Sequence, residues 1–89
     1  MTRFVQARDV GVIDDGIRVF AAVLPKGPIV VLAGVGAAVW RAALGADLAT
    51  LAVRLVDGDV CEEGDAATDA ALFTRAFVDS GLLREEEDS

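Results

Sequence analysis

Hydrophobic positions change their period once along this chain. In the first third they come as short runs rich in β-branched residues, at Val10 to Ile13, Ile17 to Leu24 and Pro28 to Leu32 or Ala33. Turn residues separate the runs. Asp14-Asp15-Gly16 carries the Asp-Gly step that favours a tight hairpin, and Pro25-Lys26-Gly27 marks a second reversal. The pattern predicts an antiparallel meander of three strands in chain order. From Gly36 onward the apolar residues recur at three- and four-residue spacing, which is the signature of helices that bury one face.

Three helices are expected. The first runs from about Gly36 to Leu44, with Ala37, Ala38, Trp40 and Leu44 on its apolar side, and Gly45 stops it. Asp47 is placed to cap a second helix carrying Leu48, Leu51, Ala52 and Leu55, which ends at Asp57-Gly58. A third runs from about Ala66 to Asp79, turns its Ala70, Phe73 and Phe77 side to the core, and ends at Ser80-Gly81, with Leu82 closing the core beyond it. Strands first and helices afterwards define an α+β class, here a three-stranded antiparallel sheet followed by three helices. A single domain is expected over residues 1–84, with 85–89 as an acidic, disordered tail.

Composition narrows what this domain does. Of its 89 residues, 54% are hydrophobic, which suits a small, densely apolar core. The longest uncharged stretch, Gly27 to Trp40, is shorter than the ~20 residues a spanning helix needs. The N-terminus has no apolar signal core, so a cytoplasmic protein is expected. There is no His and only one Cys, Cys61. That removes imidazole bases, disulfides and nearly all zinc geometries, so the expectation is a non-enzyme with no cofactor and no metal. The net charge is −7, but Glu85, Glu86, Glu87 and Asp88 supply four of those charges, leaving eleven acids against eight bases in the body. One Lys and seven Arg scattered among acids do not make the basic stripe that duplex nucleic acid requires.

Gly34 and Gly36, at the junction of the third strand and the first helix, suggest a phosphate-binding loop. The dinucleotide fingerprint asks for a third small residue where this chain has Val39, and for a following parallel strand where it has more helices. The glycines are therefore read as the turn that lets the chain leave the sheet.

The third strand itself is the stronger candidate. Ile29, Val30, Val31, Leu32 and Ala33 carry no charge and no internal Pro, whereas natural edge strands are usually protected by one or the other. An open edge of this kind recruits an extended peptide as an added strand. Alternatively the edge is covered by a second copy in a homodimer, or by the first ten residues.

The order of these pieces resembles the PqqD-like family, the leader-peptide-binding domains called RiPP recognition elements. The resemblance rests on the apolar strand, the small turn and Ala37-Ala38-x-Trp40, then Leu51 and Ala52, then Asp69, Phe73, Phe77 and Gly81-Leu82-Leu83. It implies a winged-helix-like, non-catalytic domain that binds the leader of a ribosomally made precursor peptide along its third strand. Ile29, Val30, Val31 and Leu32 would form the edge, and Leu72, Arg75, Ala76 and Asp79 would line a groove on the third helix, although Arg75 and Asp79 are also one turn apart and able to pair with each other. A free-standing member of this size is similar to the leader-binding proteins of lasso-peptide pathways, whose partners are a leader peptidase and a cyclase. The alternatives are a peptide chaperone for a radical SAM enzyme in quinone-cofactor biosynthesis, a structural or dimerisation domain, and a winged-helix DNA-binding domain.

Overall fold

In the computed structural model, which describes residues 2–87, the chain order is β1 (Thr2–Gln6), β2 (Val10–Asp14), β3 (Val19–Val23), β4 (Ile29–Leu32), α1 (Val35–Ala43), α2 (Leu48–Asp57), α3 (Glu63–Asp79) and β5 (Leu83–Glu87). The protein is α+β, and β2, β3 and β4 form the expected antiparallel sheet in chain order. Its first hairpin is built by the Asp-Asp-Gly step. Gly16 takes φ +89°, the Asp14 carboxylate accepts the Gly16 N–H at 2.9 Å, and the Asp15 carboxylate accepts those of Ile17 and Arg18 at 2.8 and 2.6 Å. These carboxylates satisfy donors that a tight turn leaves without backbone partners.

The N-terminus and the acidic end depart from expectation. Residues 2–6 and 83–87 pair antiparallel as a second sheet, so Glu85, Glu86 and Glu87 belong to a strand and the expected limit at residue 84 falls inside it. Asp88 and Ser89 lie outside the described residues. The pairing has physical causes that a run of acids conceals. Phe4 and Leu83 are buried and anchor the two strands in the core, Arg3 stands opposite Glu86 with 3.5 Å between their charged groups, and the Thr2 hydroxyl donates to Glu87 at 3.0 Å. Alternation places Leu83, Glu85 and Glu87 on one face of β5 and Arg84 and Glu86 on the other; Leu83 is buried where the strand begins, and Glu85 and Glu87 on its face are exposed beyond it.

The helices follow their sequence signals closely. The Asp47 side chain accepts the Thr50 N–H at 2.7 Å and caps α2. Helix α3 starts earlier than its apolar pattern, at Glu63, because Glu63 and Asp65 in its first turn complement the positive end of the helix dipole. The core lies between the inner face of the larger sheet (Val10, Val19, Ala21) and the three helices, around Trp40, Leu51, Leu55 and Phe77. Trp40 meets Phe77 edge to face, with ring centres 5.4 Å apart. Thr74 is also buried, and its hydroxyl is satisfied within the helix by donating to the Ala70 carbonyl at 2.7 Å.

The two glycines after β4 have different roles. Gly34 adopts φ 57° and ψ −127°, a conformation essentially closed to residues with a Cβ, although a Cβ there would meet no atom within 4 Å. Gly36 is helical, and a Cβ on it would touch Phe73 at an ordinary 3.6 Å. Gly34→Ala is therefore expected to destabilise the protein by about 1–3 kcal/mol through backbone strain, whereas Gly36→Ala should be neutral or mildly stabilising. Urea midpoints followed by Trp40 fluorescence measure both; equal midpoints for the two variants would refute the assignment.

Candidate functional site

A sheet edge is a site only if nothing already occupies it, and the edges of this protein are not equal. The outer side of β1 is used: Phe4 donates to the Ala46 carbonyl at 2.8 Å and accepts from Gly45 at 2.7 Å. The outer side of β5 carries Arg84, Glu85, Glu86 and Glu87. The outer side of β2 is engaged at both ends, where the Val10 N–H reaches the Ala7 carbonyl, the Gln6 amide donates to the Val10 carbonyl at 2.8 Å, and Asp14 is held by Arg41. Strand β4 has β3 on one flank and, among the described residues, no strand on the other. Among the described residues it is an uncharged edge left open along its whole length.

The phase of its hydrogen bonds follows from the hairpin. Asp15 donates to the Arg18 carbonyl at 3.1 Å and Leu24 to the Asp9 carbonyl at 2.6 Å, so both bonds cross between β2 and β3. Because antiparallel bonding alternates, Phe20 and Ala22 also turn their backbone groups toward β2, and Val19, Ala21 and Val23 turn theirs toward β4. The Gly27 N–H bonding to the Val23 carbonyl at 2.6 Å agrees with that phase. In the register Val19↔Leu32 and Ala21↔Val30, Val30 and Leu32 complete the ladder with β3. The N–H and C=O groups of Ile29 and Val31 consequently point away from the sheet.

Side chains alternate with the same period. Ile29 and Val31, 71% and 53% exposed, stand on the outer face. There Ile29 joins Ile13, Phe20 and Leu24 around a shallow, uncharged hollow of about 370 Å³. Val30 and Leu32 are half-buried against the core.

The expected groove residues on α3 are not brought together beside this edge. Leu72 and Arg75 line a separate hollow of about 450 Å³ with Phe4, Leu48, Val78 and Glu85, next to the small sheet. Ala76 and Asp79 are exposed, and Asp79 pairs with Arg75 at 3.4 Å on the surface, where such a pair contributes little. Helix phase explains the difference. The buried stripe of α3 is Ala66, Ala70, Thr74 and Phe77; at about 100° per residue, Phe73 and Ala76 fall on one flank of it and Ala71, Arg75 and Val78 on the other. The Phe73 flank is the one turned toward the start of α1, as its proximity to Gly36 records. Phe73 lies on that flank, half-buried against the core and 6.2 Å from Phe77 between ring centres. Its expected place against the core, with Ala70 and Phe77, is what the structure shows; the residue the sequence pattern left out of the buried stripe is Thr74.

Electrostatics near the sheet are set by one ion pair. Arg41 on α1 grips Asp14 through two bonds of 2.7 and 2.8 Å, which, with the Gly16 N–H, lowers the Asp14 carboxyl from 3.8 to about 2. Backbone N–H groups likewise lower Asp15 and Asp47. A carboxyl that is more acidic folded than unfolded favours the fold above its unfolded value and loses that contribution as pH falls toward its folded one. Stability is therefore expected to fall between about pH 4 and pH 2, and Arg41→Gln should weaken that dependence. Urea titrations across this range test it, and identical pH slopes for the two proteins would refute the role of the pair.

Cys61 is partly buried, and its thiol donates to the Asp69 carboxylate at 3.4 Å. Burial, then the Asp69 carboxylate, push its pKa up, which makes it a poor thiolate. Among the described residues, no group of three or more His, Cys, Asp or Glu side chains is arranged to hold a metal ion, and no helix is long and apolar enough to cross a membrane. No protein-family model matches the chain, and no curated protein or solved structure matches it significantly.

Proposed function

We propose that this protein is a non-catalytic peptide-binding module that takes up an extended segment as an additional strand along β4. The observation that carries this reading is the outward row of backbone groups at Ile29 and Val31 on an uncharged edge that no strand covers among the described residues. Main-chain bonds to that row supply affinity, and Val30 and Leu32 on the inner face form the wall that alternate peptide side chains meet. Leu72, Arg75 and Asp79 are not part of this wall.

The peptide, on this proposal, is the leader of a ribosomally made precursor. The order of strand, Ala-Ala-x-Trp helix, central helix and closing Gly-Leu-Leu, similar to PqqD-like domains, supports it. The module would carry the precursor to separate processing enzymes, a leader peptidase and a cyclase of the lasso-peptide type, in the cytoplasm. A second reading, a homodimerisation domain, draws on the apolar outer face of the same sheet, where Ile13, Ile29 and Val31 are all exposed. DNA binding has less to recommend it, since the exposed side of α3 offers Arg75 already engaged by Asp79.

Light scattering of the free protein, followed by titration of a fluorescein-labelled leader peptide from a precursor encoded beside it, separates these readings. The proposal expects a monomer that saturates at one peptide per chain. A stable dimer that leaves the peptide unbound would overturn it in favour of dimerisation.

A further inference from the structure

Strand addition by itself is indifferent to sequence, so selectivity has to come from side chains beside the edge. One cation is well placed. The Arg18 guanidinium lies over the Phe20 ring, 5.6 Å from its centre, and Phe20 stands directly opposite Val31 in the β3–β4 register. Phe20 lines the hollow on the outer face, so Arg18 covers that face beside the open edge. Arg41 and Arg75 are taken by Asp14 and Asp79. Arg18 makes no salt bridge among the described residues, and the nearest acid, Asp15, spends one carboxylate oxygen on the backbone N–H groups of Ile17 and Arg18.

We propose, building on the strand-addition reading, that Arg18 selects peptides with an Asp or Glu in the outer-face row beside Val31, next to apolar residues facing Ile29. Strands are spaced by about 4.8 Å, so an added strand lies about 10 Å from β3. A long guanidinium side chain reaching out over Val31 and a carboxylate reaching back span that gap. Stacking on Phe20 preorganises the guanidinium and leaves its edge free to donate. The bound segment is thus apolar toward both Ile29 and the inner wall, with one acidic residue at the Val31 end. The net charge of −7 would by itself draw cationic peptides, so a preference for an acidic residue identifies the local contact rather than the overall field. It also argues for a foreign strand over a second copy, because antiparallel self-pairing of β4 offers Arg18 no acid: Ile29, Val30, Val31 and Leu32 are all uncharged.

The test is selection of a phage-displayed library of random peptides, about twelve residues long, on four proteins: wild type, Arg18→Gln, Arg18→Glu and Val31→Pro. Wild type is expected to enrich peptides with Asp or Glu at a fixed offset from an apolar pair, and synthetic copies should bind about two- to fivefold tighter than their amide counterparts, with the difference fading in 1 M salt. Arg18→Gln should lose the acidic preference while keeping the apolar pair, and Arg18→Glu should favour Lys or Arg at that offset. Peptides that depend on Val31 but show no acidic preference, or the same preference in Arg18→Gln, would overturn this inference alone. Peptides bound equally by Val31→Pro would overturn strand addition itself, and with it the role of Arg18.

Discussion

Val31→Pro is expected to weaken peptide binding by about tenfold or more while leaving the fold nearly as stable as before. The N–H that proline deletes at this position points out of the sheet, so the native ladder loses no bond, and an edge strand accommodates the fixed φ of proline. An incoming peptide loses a donor and meets the pyrrolidine ring in its place, leaving one of its carbonyls buried without a partner, which costs about 1–3 kcal/mol. Val30→Pro is the informative contrast. Its N–H faces β3, so proline there should break the ladder and lower the melting temperature whether or not a peptide is present. Measured by calorimetry and by anisotropy of a labelled peptide, the two variants should differ in kind: one stable and unable to bind, the other destabilised. Equal affinity of Val31→Pro and wild type would remove β4 from the function. Should Val31→Pro fail to fold, Val31→Lys keeps the backbone and protects the edge with charge, and the same loss of binding is expected.

Trp40→Ala should produce the largest loss of stability of any single substitution considered. The side chain is 2% exposed, sits where α1 meets α3, and packs edge-on against Phe77. Truncating a buried tryptophan removes its transfer free energy and leaves a cavity that the surrounding helices fill only partly, at a cost of about 3–5 kcal/mol. Domains of this size are held by roughly 5–15 kcal/mol in all. A fall in melting temperature of more than about 10 °C by far-UV circular dichroism is expected. Trp40→Phe, which keeps an aromatic ring against Phe77, should recover most of that loss. Melting unchanged by the alanine variant would mean that the helices do not pack as described.

The contrast between Val31 and Trp40 separates the two sources of order in the chain. Trp40 acts through volume, and any ring of similar size in the core serves. Val31 acts through the direction of its backbone groups, which only the strand register defines.

The sequence by itself determined the strand-to-helix order, the Asp-Asp-Gly hairpin, the Asp47 cap and three of the five strands, because each is encoded within a few neighbouring residues. Hydrophobic period and turn chemistry are local, and local signals survive in a one-dimensional reading. The tertiary structure alone decided three other things. Pairing of Thr2–Gln6 with Leu83–Glu87 joins the two ends of the described chain; Arg84 beside Glu86 is a local partner, but the contacts of Arg3 with Glu86 and of Thr2 with Glu87 come from the far end. The surroundings of the exposed side of α3 were decided there too: Leu72 and Arg75, expected from the family resemblance to line a groove along the third strand, instead line a hollow with Phe4 and Glu85 beside the small sheet. Arg18 lies over Phe20, two residues on along the same face, and cross-strand register sets Phe20 opposite Val31. Its physical basis is that a strand presents opposite faces at successive residues, so which side chains and backbone groups meet at an edge is fixed only once the partner strand is in place.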